Sequence, residues 1–210
     1  MTSSPRKSKE KAIRKSEILA AAEKVFFKNG LSSASMDAVA QEANVSKGTL
    51  YLYFKNKNAL YRAILRRAFE TLHSLLNNYV KPETQTGKEQ IVEAGRAYVK
   101  FSKEYPGYFD AILHYENDTV GLDNVESESL KSMIAGNQVL ELLASCVKRG
   151  QEDGTVNSKL HPLKQALILW GTITGILQML YAKNQLIHQY YGIGVEEILD
   201  DYFAGIQENL

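Results

Sequence analysis

Four side chains that can make hydrogen bonds lie close together in the segment SKGTLYLYF, residues 46 to 54: Lys47, Thr49, Tyr51 and Tyr53. Lysine donates to guanine acceptors, threonine bonds a base edge or touches a thymine methyl, and tyrosine reaches phosphate oxygens. Gly48 would let the backbone approach DNA closely, and contact with a thymine methyl would occupy the apolar Leu52. These residue types on one exposed helix are typical of a segment that reads the major groove of DNA.

Two short helices are predicted to position this segment. In the first, apolar residues recur at i, i+3, i+4 and i+7 and so share one face: Met36, Val39, Ala40 and Ala43. Ser35 and Ser46 stand where the two helices need N-caps. In the second helix Leu50 and Phe54 are four residues apart and point inward. The spacing predicts two helices joined by a tight polar turn, the second carrying the groove-reading face.

The segments RKSEILAAAEKVFFKNG and VSKGTLYLYFKNKNAL resemble the DNA-binding domain of the TetR family of transcriptional regulators, over roughly residues 13 to 65. The matching positions are Ile18, Leu19, Ala22, Phe26, Gly30, Val39, Ala40, Gly48, Thr49, Leu50, Tyr51, Phe54, Lys57 and Leu60. The resemblance implies an all-helical protein whose third helix enters the major groove. It also implies that Ser33, Ser35, Tyr53 and Lys57 hold phosphates.

Structural roles compete with several of these assignments. Phe26, Leu50 and Phe54 are predicted to be core residues that carry no sequence readout. Ser35 and Ser46 would satisfy helix N–H groups whether or not DNA is present, so phosphate contact by Ser35 is an additional role. Tyr51 and Tyr53 could instead cover the surface of the small domain.

Charge is distributed unevenly along the chain. Residues 1–70 contain 14 Lys and Arg against 6 Asp and Glu, a net of +8, and residues 71–210 contain 11 against 18, a net of −7. A positive N-terminal region attracts the phosphate backbone and predicts binding that weakens steeply with salt. Solvation alone explains solubility but not this asymmetry.

The charge and motif boundaries predict three segments. Residues 1–12 read as a flexible basic arm that helps non-specific affinity, residues 13–57 as a helix-turn-helix DNA-binding domain, and residues 58–210 as a helical regulatory and dimerisation domain. The N-terminus has no apolar run long enough for a secretory signal or a membrane span. Together with the single cysteine, Cys146, which permits no intramolecular disulfide, this favours a cytoplasmic protein.

The remaining residues are predicted to form helices bounded by prolines. A long helix starts near Lys57 and ends before Pro82, and others begin at Pro106 and Pro162. Residues 87–104 are amphipathic, residues 117–127 read as a loop, and residues 130–149 read as one helix ending at Gly150. The expected fold is all-α, with an N-terminal three-helix helix-turn-helix domain followed by a larger helical ligand-binding and dimerisation domain.

The segment ALILWGTITGILQMLYA, residues 166–182, is uncharged and contains Gly171 and Gly175. It falls short of the roughly 20 apolar residues that a bilayer requires, so we expect a helix buried on every side and no membrane partner. Residues 195–210 carry a second apolar stripe. Both segments are candidates for a homodimer interface, through helices near 163–184 and 195–209, and the resemblance also places the dimer contact on the last two helices.

Aromatic and polar residues of the second domain are candidates for a ligand cavity. They are Tyr98, Phe101, Tyr108, Phe109, Tyr115, Trp170 and Met179, with His114 or Gln178 orienting a polar group. The alternative for each is plain core. The four histidines are scattered and no metal, phosphate-loop or paired-carboxylate pattern is present, so the sequence predicts no metal, no cofactor and no enzyme activity.

The sequence therefore predicts a dimeric reader of a palindromic double-stranded DNA operator. If a small-molecule effector favours wrongly spaced recognition helices, it releases the operator, and the chain is a repressor. The alternative is a ligand-independent dimeric DNA-binding protein whose second domain serves only to dimerise. Repression and activation both remain open at this point.

Overall fold

The computed structural model describes residues 5–116, 127–157 and 159–210, and these ranges contain helices and no strand. The helices are α1 (Pro5–Ser33), α2 (Met36–Glu42), α3 (Lys47–Tyr53), α4 (Lys57–Tyr79), α5 (Gly87–Glu104), α6 (Pro106–Glu116), α7 (Ser127–Glu152), α8 (Pro162–Tyr191) and α9 (Val195–Asn209). The all-helical prediction is confirmed. The loop predicted over residues 117–127 lies outside the described residues, except that Ser127 begins α7.

The chain divides into two compact units. Unit 1 comprises Met1–Phe69 and Tyr105–Ala135, and unit 2 comprises Glu70–Glu104 and Gly136–Leu210. The sequence placed the boundary near residue 57, whereas the structure adds the start of α4, all of α6 and the start of α7 to the N-terminal unit. The reason is packing, because α6 contributes Ala111 and Tyr108 to the same apolar core as α1 to α4.

Helix α1 begins earlier than the sequence analysis predicted. Residues 5–12, expected as part of a flexible arm, are helical, and residues 6–12 are exposed. Proline is favoured in the first turn of a helix, and no glycine or further proline follows until Gly30. Gly30 then interrupts the helix with φ 75°, a conformation that costs glycine little. Gly30, the residue expected to end the first helix, is therefore where the backbone leaves the helical conformation.

The core of unit 1 is built from the residues whose spacing predicted it. Buried side chains from α1, α2, α3 and α4 meet in one cluster that includes Ile18, Phe26, Val39, Leu50, Phe54, Leu60 and Ile64. Phe54 and Leu50 are fully buried, which confirms their predicted core role. Truncating a buried phenylalanine to alanine typically costs about 3–5 kcal/mol, so this cluster fixes how α3 is held.

Polar contacts attach α6 and α7 to the rest of unit 1. The Tyr61 hydroxyl donates to the Ala111 carbonyl over 2.6 Å, and Lys15 Nζ lies 2.5 Å from the Glu128 carboxylate. Burial raises the pKa of Glu128 and the neighbouring cations lower it, above all Lys15, with a net result below its ordinary value. This carboxylate therefore holds the start of α7 to α1 as an ion pair at neutral pH.

Unit 2 is built around α5. One face of α5 is buried, and its first residue, Gly87, touches the backbone of Gly150 near the end of α7 so closely that no side chain fits between them. Further along, a Cβ added at Gly95 would lie 2.6 Å from the ring of Phe203 in α9. These two glycines set how closely α7 and α9 approach α5.

Helix α8 is not buried on every side, in contrast to the expectation from its composition. Its inward face contributes Leu169, Ile173, Leu177 and Leu180 to unit 2, while the opposite face exposes an apolar stripe that includes Leu163, Leu167, Ile168, Met179 and Leu186. No other described helix of one copy covers that stripe. By length and hydropathy α8 could also cross a membrane, a property that core helices of soluble proteins share.

Candidate nucleic-acid interface

Two serine caps fix the helices that would meet DNA. Ser35 Oγ accepts a hydrogen bond from the Ala38 amide over 3.2 Å, and Ser46 Oγ accepts one from the Thr49 amide over 3.1 Å. Between α2 and α3, Asn44 adopts φ 49°, a left-handed conformation that asparagine tolerates better than most residues. The caps and this turn produce the tight connection that the sequence predicted.

The exposed face of α3 presents an accessible stretch of backbone at Gly48, the phenol of Tyr51 and the apolar side chain of Leu52. A Cβ added at Gly48 would meet only Ser46 Oγ, at 3.8 Å, so the backbone there is accessible. Tyr51 is 44% exposed and Leu52 is 79% exposed. A leucine that exposed gains almost nothing from folding, and its neighbours are the residues expected to contact bases. The three residues form a continuous surface suited to base edges and methyl groups.

Lys47, at the start of α3, pairs with a carboxylate that the sequence analysis did not single out. Its Nζ lies 2.6 Å from Asp37 Oδ1 in α2, and both side chains are mostly exposed. The hydrogen bond and the charge of Asp37 raise the pKa of Lys47 above its ordinary value. Asp37 stands one residue after Met36 on a different helix, and only folding brings it to Lys47.

Thr49, Lys57 and Tyr53, three of the other predicted DNA contacts, have local partners. Thr49 Oγ1 shares a hydrogen bond with Ser46 Oγ at 2.9 Å, and Lys57 Nζ donates to the Ser32 carbonyl over 2.9 Å. Tyr53 packs partly against the unit 1 core. Ser33 and Ser35 are exposed at the end of α1 and the start of α2. All nine residues predicted to contact DNA therefore lie in unit 1. Among those on α3, Lys47, Gly48, Tyr51 and Leu52 are the most exposed to solvent.

Unit 2 contains a separate apolar cavity with about 40 Å³ of free space. It is lined by Leu72, Leu76, Ile91, Ala94, Gly95, Tyr98, Val139, Leu143, Leu169, Trp170, Ile173, Tyr202 and Ile206. No lining residue is charged. The Tyr98 hydroxyl is hydrogen-bonded to Thr174 Oγ1 at 3.1 Å, and burial raises the pKa of Tyr202 to about 12. Because a single water needs roughly 10–15 Å³, this space holds only about three waters, and a ligand much larger than that requires the surrounding helices to separate.

The structure brings together only part of the predicted ligand set. Tyr98 and Trp170 line the cavity with ring centroids 5.6 Å apart, and Phe101 stacks on Tyr98 without reaching the lining. Gln178 and Met179 lie on the exposed side of α8. Tyr108, Phe109 and His114 belong to α6 in unit 1, and the side chain of Tyr115 lies outside the described residues. The aliphatic lining residues cannot be recognised from the sequence, because their spacing fits any helical core.

Cys146 and the histidines do not form a reactive site in the described part of the chain. Burial raises the pKa of the Cys146 thiol to about 11, so it stays protonated and unreactive at neutral pH. In the described ranges, no three His, Cys or carboxylate side chains are grouped closely enough to hold a metal ion.

The chain is similar in sequence to known proteins. Residues 18–64 match the family described as bacterial regulatory proteins, tetR family. The probable HTH-type transcriptional regulator ArpR of Pseudomonas putida is 36% identical over 180 residues, which cover 82% of each chain. The HTH-type transcriptional activator FasR of Mycolicibacterium smegmatis is 34% identical over 108 residues, 51% of this chain and 48% of that one.

The chain spans about half the length of the first curated relatives it matches, 54% and 48%. Among solved structures, the transcriptional regulator FadR of Bacillus subtilis, in complex with stearoyl-CoA, superposes with a TM-score of 0.72 at 18% identity. That superposition covers 92% of this chain and 98% of FadR, and it shows a shared fold. With the match to ArpR over most of both chains, the helix-turn-helix of unit 1 identifies this chain as a member of the TetR family of bacterial transcriptional regulators, which are DNA-binding proteins and not enzymes.

Proposed function

We propose that the chain is a cytoplasmic, dimeric repressor that binds a palindromic DNA operator and is released from it by a small molecule. The observation that carries the proposal is the exposed face of α3, where Lys47, Gly48, Tyr51 and Leu52 project from a helix fixed by its cap and by Phe54. The net charge of +8 over residues 1–70 supports attraction to phosphates.

Dimerisation through α8 and α9 supports operator specificity. A short recognition helix makes few base contacts, and two copies related by a two-fold axis read two half-sites. The exposed apolar stripe of α8 includes Leu167 and Ile168, and Gly171 and Gly175 leave open space beside it. A second copy of the same face would cover this stripe, since two-fold interfaces use the same surface on both subunits.

The effector is proposed to insert an uncharged, apolar portion into the unit 2 cavity. A charged group would find no counter-ion among the lining residues, and burying it unpaired is costly. FadR, a fold neighbour, is described in complex with stearoyl-CoA, whose acyl chain belongs to this chemical class. Because the free space is small, ligand entry would move α5, α7 and α8 apart, and the affinity difference between the two states would release the operator.

Selection of genomic fragments by the purified protein tests the DNA-binding part. The winning fragment is footprinted, and its affinity is measured against a random-sequence duplex over a range of salt. We expect a protected palindrome that outcompetes random DNA. Uniformly weak, salt-sensitive binding would support a non-specific DNA-binding protein instead, and expression of a reporter behind the fragment separates repression from the activation that the name of FasR describes.

Fluorescence of Trp170, the single tryptophan of the chain, tests the effector part because it lines the cavity. We expect n-decanol to change the Trp170 emission and weaken operator binding, and decanediol with a hydroxyl at both ends to do so far less. Leu143→Phe, which fills the cavity, should abolish both responses, whereas Leu160→Phe outside it should not. Equal responses to both compounds would contradict the preference of the cavity for an apolar ligand, and no response to either would favour the ligand-independent alternative.

A further inference from the structure

Asp37 is an acidic residue on a surface otherwise suited to bind DNA. It lies in the first turn of α2, and its carboxylate is 2.6 Å from Lys47 Nζ at the start of α3. An acidic side chain beside phosphates is repelled by them, so its presence at this place lowers affinity for any DNA unless the cation compensates it. The pair therefore presents almost no net charge at a point where one free lysine would add to DNA affinity.

The position of Lys47 explains why a partner is needed. Helix N-termini carry a partial positive charge, so a lysine in the first turn of α3 is electrostatically unfavourable there. Asp37 offsets this, and the same carboxylate favours the N-terminus of its own helix. In the bridged arrangement the Lys47 ammonium is held beside Asp37 of α2, and the flexible four-carbon side chain has less freedom to reach neighbouring phosphates.

We infer that Asp37 is a positioning residue for DNA discrimination, which holds Lys47 at the start of the recognition helix and withholds it from the phosphate backbone of non-specific DNA. The inference rests on the proposed DNA-binding function. On an operator, where α3 is seated by its base contacts, the bridged Lys47 is placed for a base edge. On random DNA the bridge removes one cation that would otherwise release a counterion.

The expected effect of Asp37→Asn follows from counterion release. The plot of log affinity against log salt for a random duplex should steepen by about 0.9, the contribution of one added phosphate contact. The ratio of variant to wild-type affinity should then fall about 3.5-fold between about 50 and 200 mM salt. Operator affinity should stay the same or fall, so the ratio of operator to random-DNA affinity drops.

The matched control is Glu42→Gln, which removes the same charge from α2 by breaking a comparable exposed pair, 3.1 Å from Lys24. Four proteins are compared on the selected operator and on a random duplex: wild type, Asp37→Asn, Glu42→Gln and the double variant Asp37→Asn/Lys47→Ala. Their melting temperatures are also recorded. The double variant should lose the extra salt dependence of Asp37→Asn. Asp37→Ser, which also suits a first helical turn, serves as the second substitution if the asparagine variant melts early.

Three results would overturn the inference. Glu42→Gln could steepen the salt plot as much as Asp37→Asn, which would reduce the effect to net charge. Asp37→Asn could raise operator and random-DNA affinity equally, which would remove the role in discrimination. It could also leave the salt plot unchanged, which would mean that Lys47 reaches no phosphate once released. Failure of the proposed function can be distinguished from failure of this inference. If the function is wrong, wild-type protein selects no operator, but the salt dependence of random-duplex binding still measures the effect of Asp37.

Discussion

At the scale of single residues, α3 carries exposed side chains whose presence is not explained by folding stability alone. Leu52, 79% exposed, has no core to join, and Tyr51 beside it is 44% exposed. Thr49 and Ser46, in contrast, are already paired with each other. We therefore propose that Tyr51 and Leu52 supply discrimination between bases, while Ser46 and Thr49 mainly shape the helix.

Substitution of Tyr51 separates base reading from surface coverage. Tyr51→Ala should weaken operator binding by about 1–3 kcal/mol and leave random-DNA affinity nearly unchanged, because base contacts are lost only on the specific site. Tyr51→Phe keeps the ring and tests the hydroxyl. Titrations of both duplexes by fluorescence anisotropy measure this, and an equal loss on both would assign Tyr51 to general affinity.

Leu52 is predicted to contact a thymine methyl. Replacing the thymines of each operator half-site with uracil, one at a time, should weaken wild-type binding by about 0.8 kcal/mol at the contacted position, the value of one buried methyl-sized group. Leu52→Ala should bind the thymine and uracil operators equally well. If every uracil operator binds wild type normally, Leu52 has another role.

At the scale of elements, unit 2 depends on the close approach of α5 and α7. Gly87, the first residue of α5, lies against the backbone of Gly150. Asp153, just beyond α7, accepts hydrogen bonds from the Gly87 amide over 2.8 Å and from the Thr155 hydroxyl over 2.5 Å. Residues distant in sequence thus cap the N-terminus of α5.

A side chain at Gly87 should not be tolerated. Gly87→Ala places a Cβ against backbone atoms that cannot rotate away, and we expect a loss of about 3 kcal/mol or more in unfolding free energy. Gly205→Ala is the matched control in α9, where nothing lies within 4 Å of the added Cβ. Its helix propensity gain should stabilise the protein by up to about 1 kcal/mol. Denaturant unfolding distinguishes the two.

Asp153 gives this cap a pH dependence. The Thr155 hydroxyl, then the Gly87 amide, holds the pKa of Asp153 below its ordinary 3.8. A carboxyl whose pKa is lower in the folded state stabilises it fully above the unfolded pKa, and the contribution is lost as pH falls through the folded value. Wild type should therefore melt above Asp153→Asn at pH 5 to 7, with the gap closing from about pH 4 downward. A constant gap across this range, by thermal melting, would contradict the assignment.

At the scale of the whole molecule, the chain combines a basic N-terminal region, an acidic remainder and an exposed apolar face. The charge difference, +8 against −7, restricts DNA attraction to the residues that carry the helix-turn-helix. We propose that the exposed apolar stripe on α8 mediates self-association.

Disrupting this stripe should affect assembly and DNA binding together. Leu167 is 54% exposed, so Leu167→Glu should leave each copy folded but yield monomers, because a charge in an apolar two-fold interface is repeated on both sides. Operator affinity should fall sharply while random-DNA affinity changes little. Analytical ultracentrifugation with footprinting measures both, and Leu160→Glu, at an exposed leucine that precedes α8, is the control. A dimeric Leu167→Glu protein would place the interface elsewhere.

Much of the fold follows from local sequence. The i, i+3, i+4, i+7 pattern at Met36, the caps Ser35 and Ser46, the break at Gly30 and the prolines that open α6 and α8 each act within a few residues. Local signals are least informative where a face meets solvent or a partner. Residues 166–182 of α8 are uncharged and mostly apolar, and the sequence could not distinguish a helix buried on every side from one with an outward face.

The sequence by itself determined most of the helices, the identity of the DNA-binding segment and the separation of charge, because these depend on residue type and on spacing along one helix. Only the tertiary structure decided which distant residues meet. It paired Asp37 with Lys47, placed α6 in the N-terminal unit and collected Tyr98, Trp170 and Tyr202 around one cavity. The physical reason is that contacts between helices depend on how their faces pack, and the spacing of apolar residues within a helix does not specify its partner.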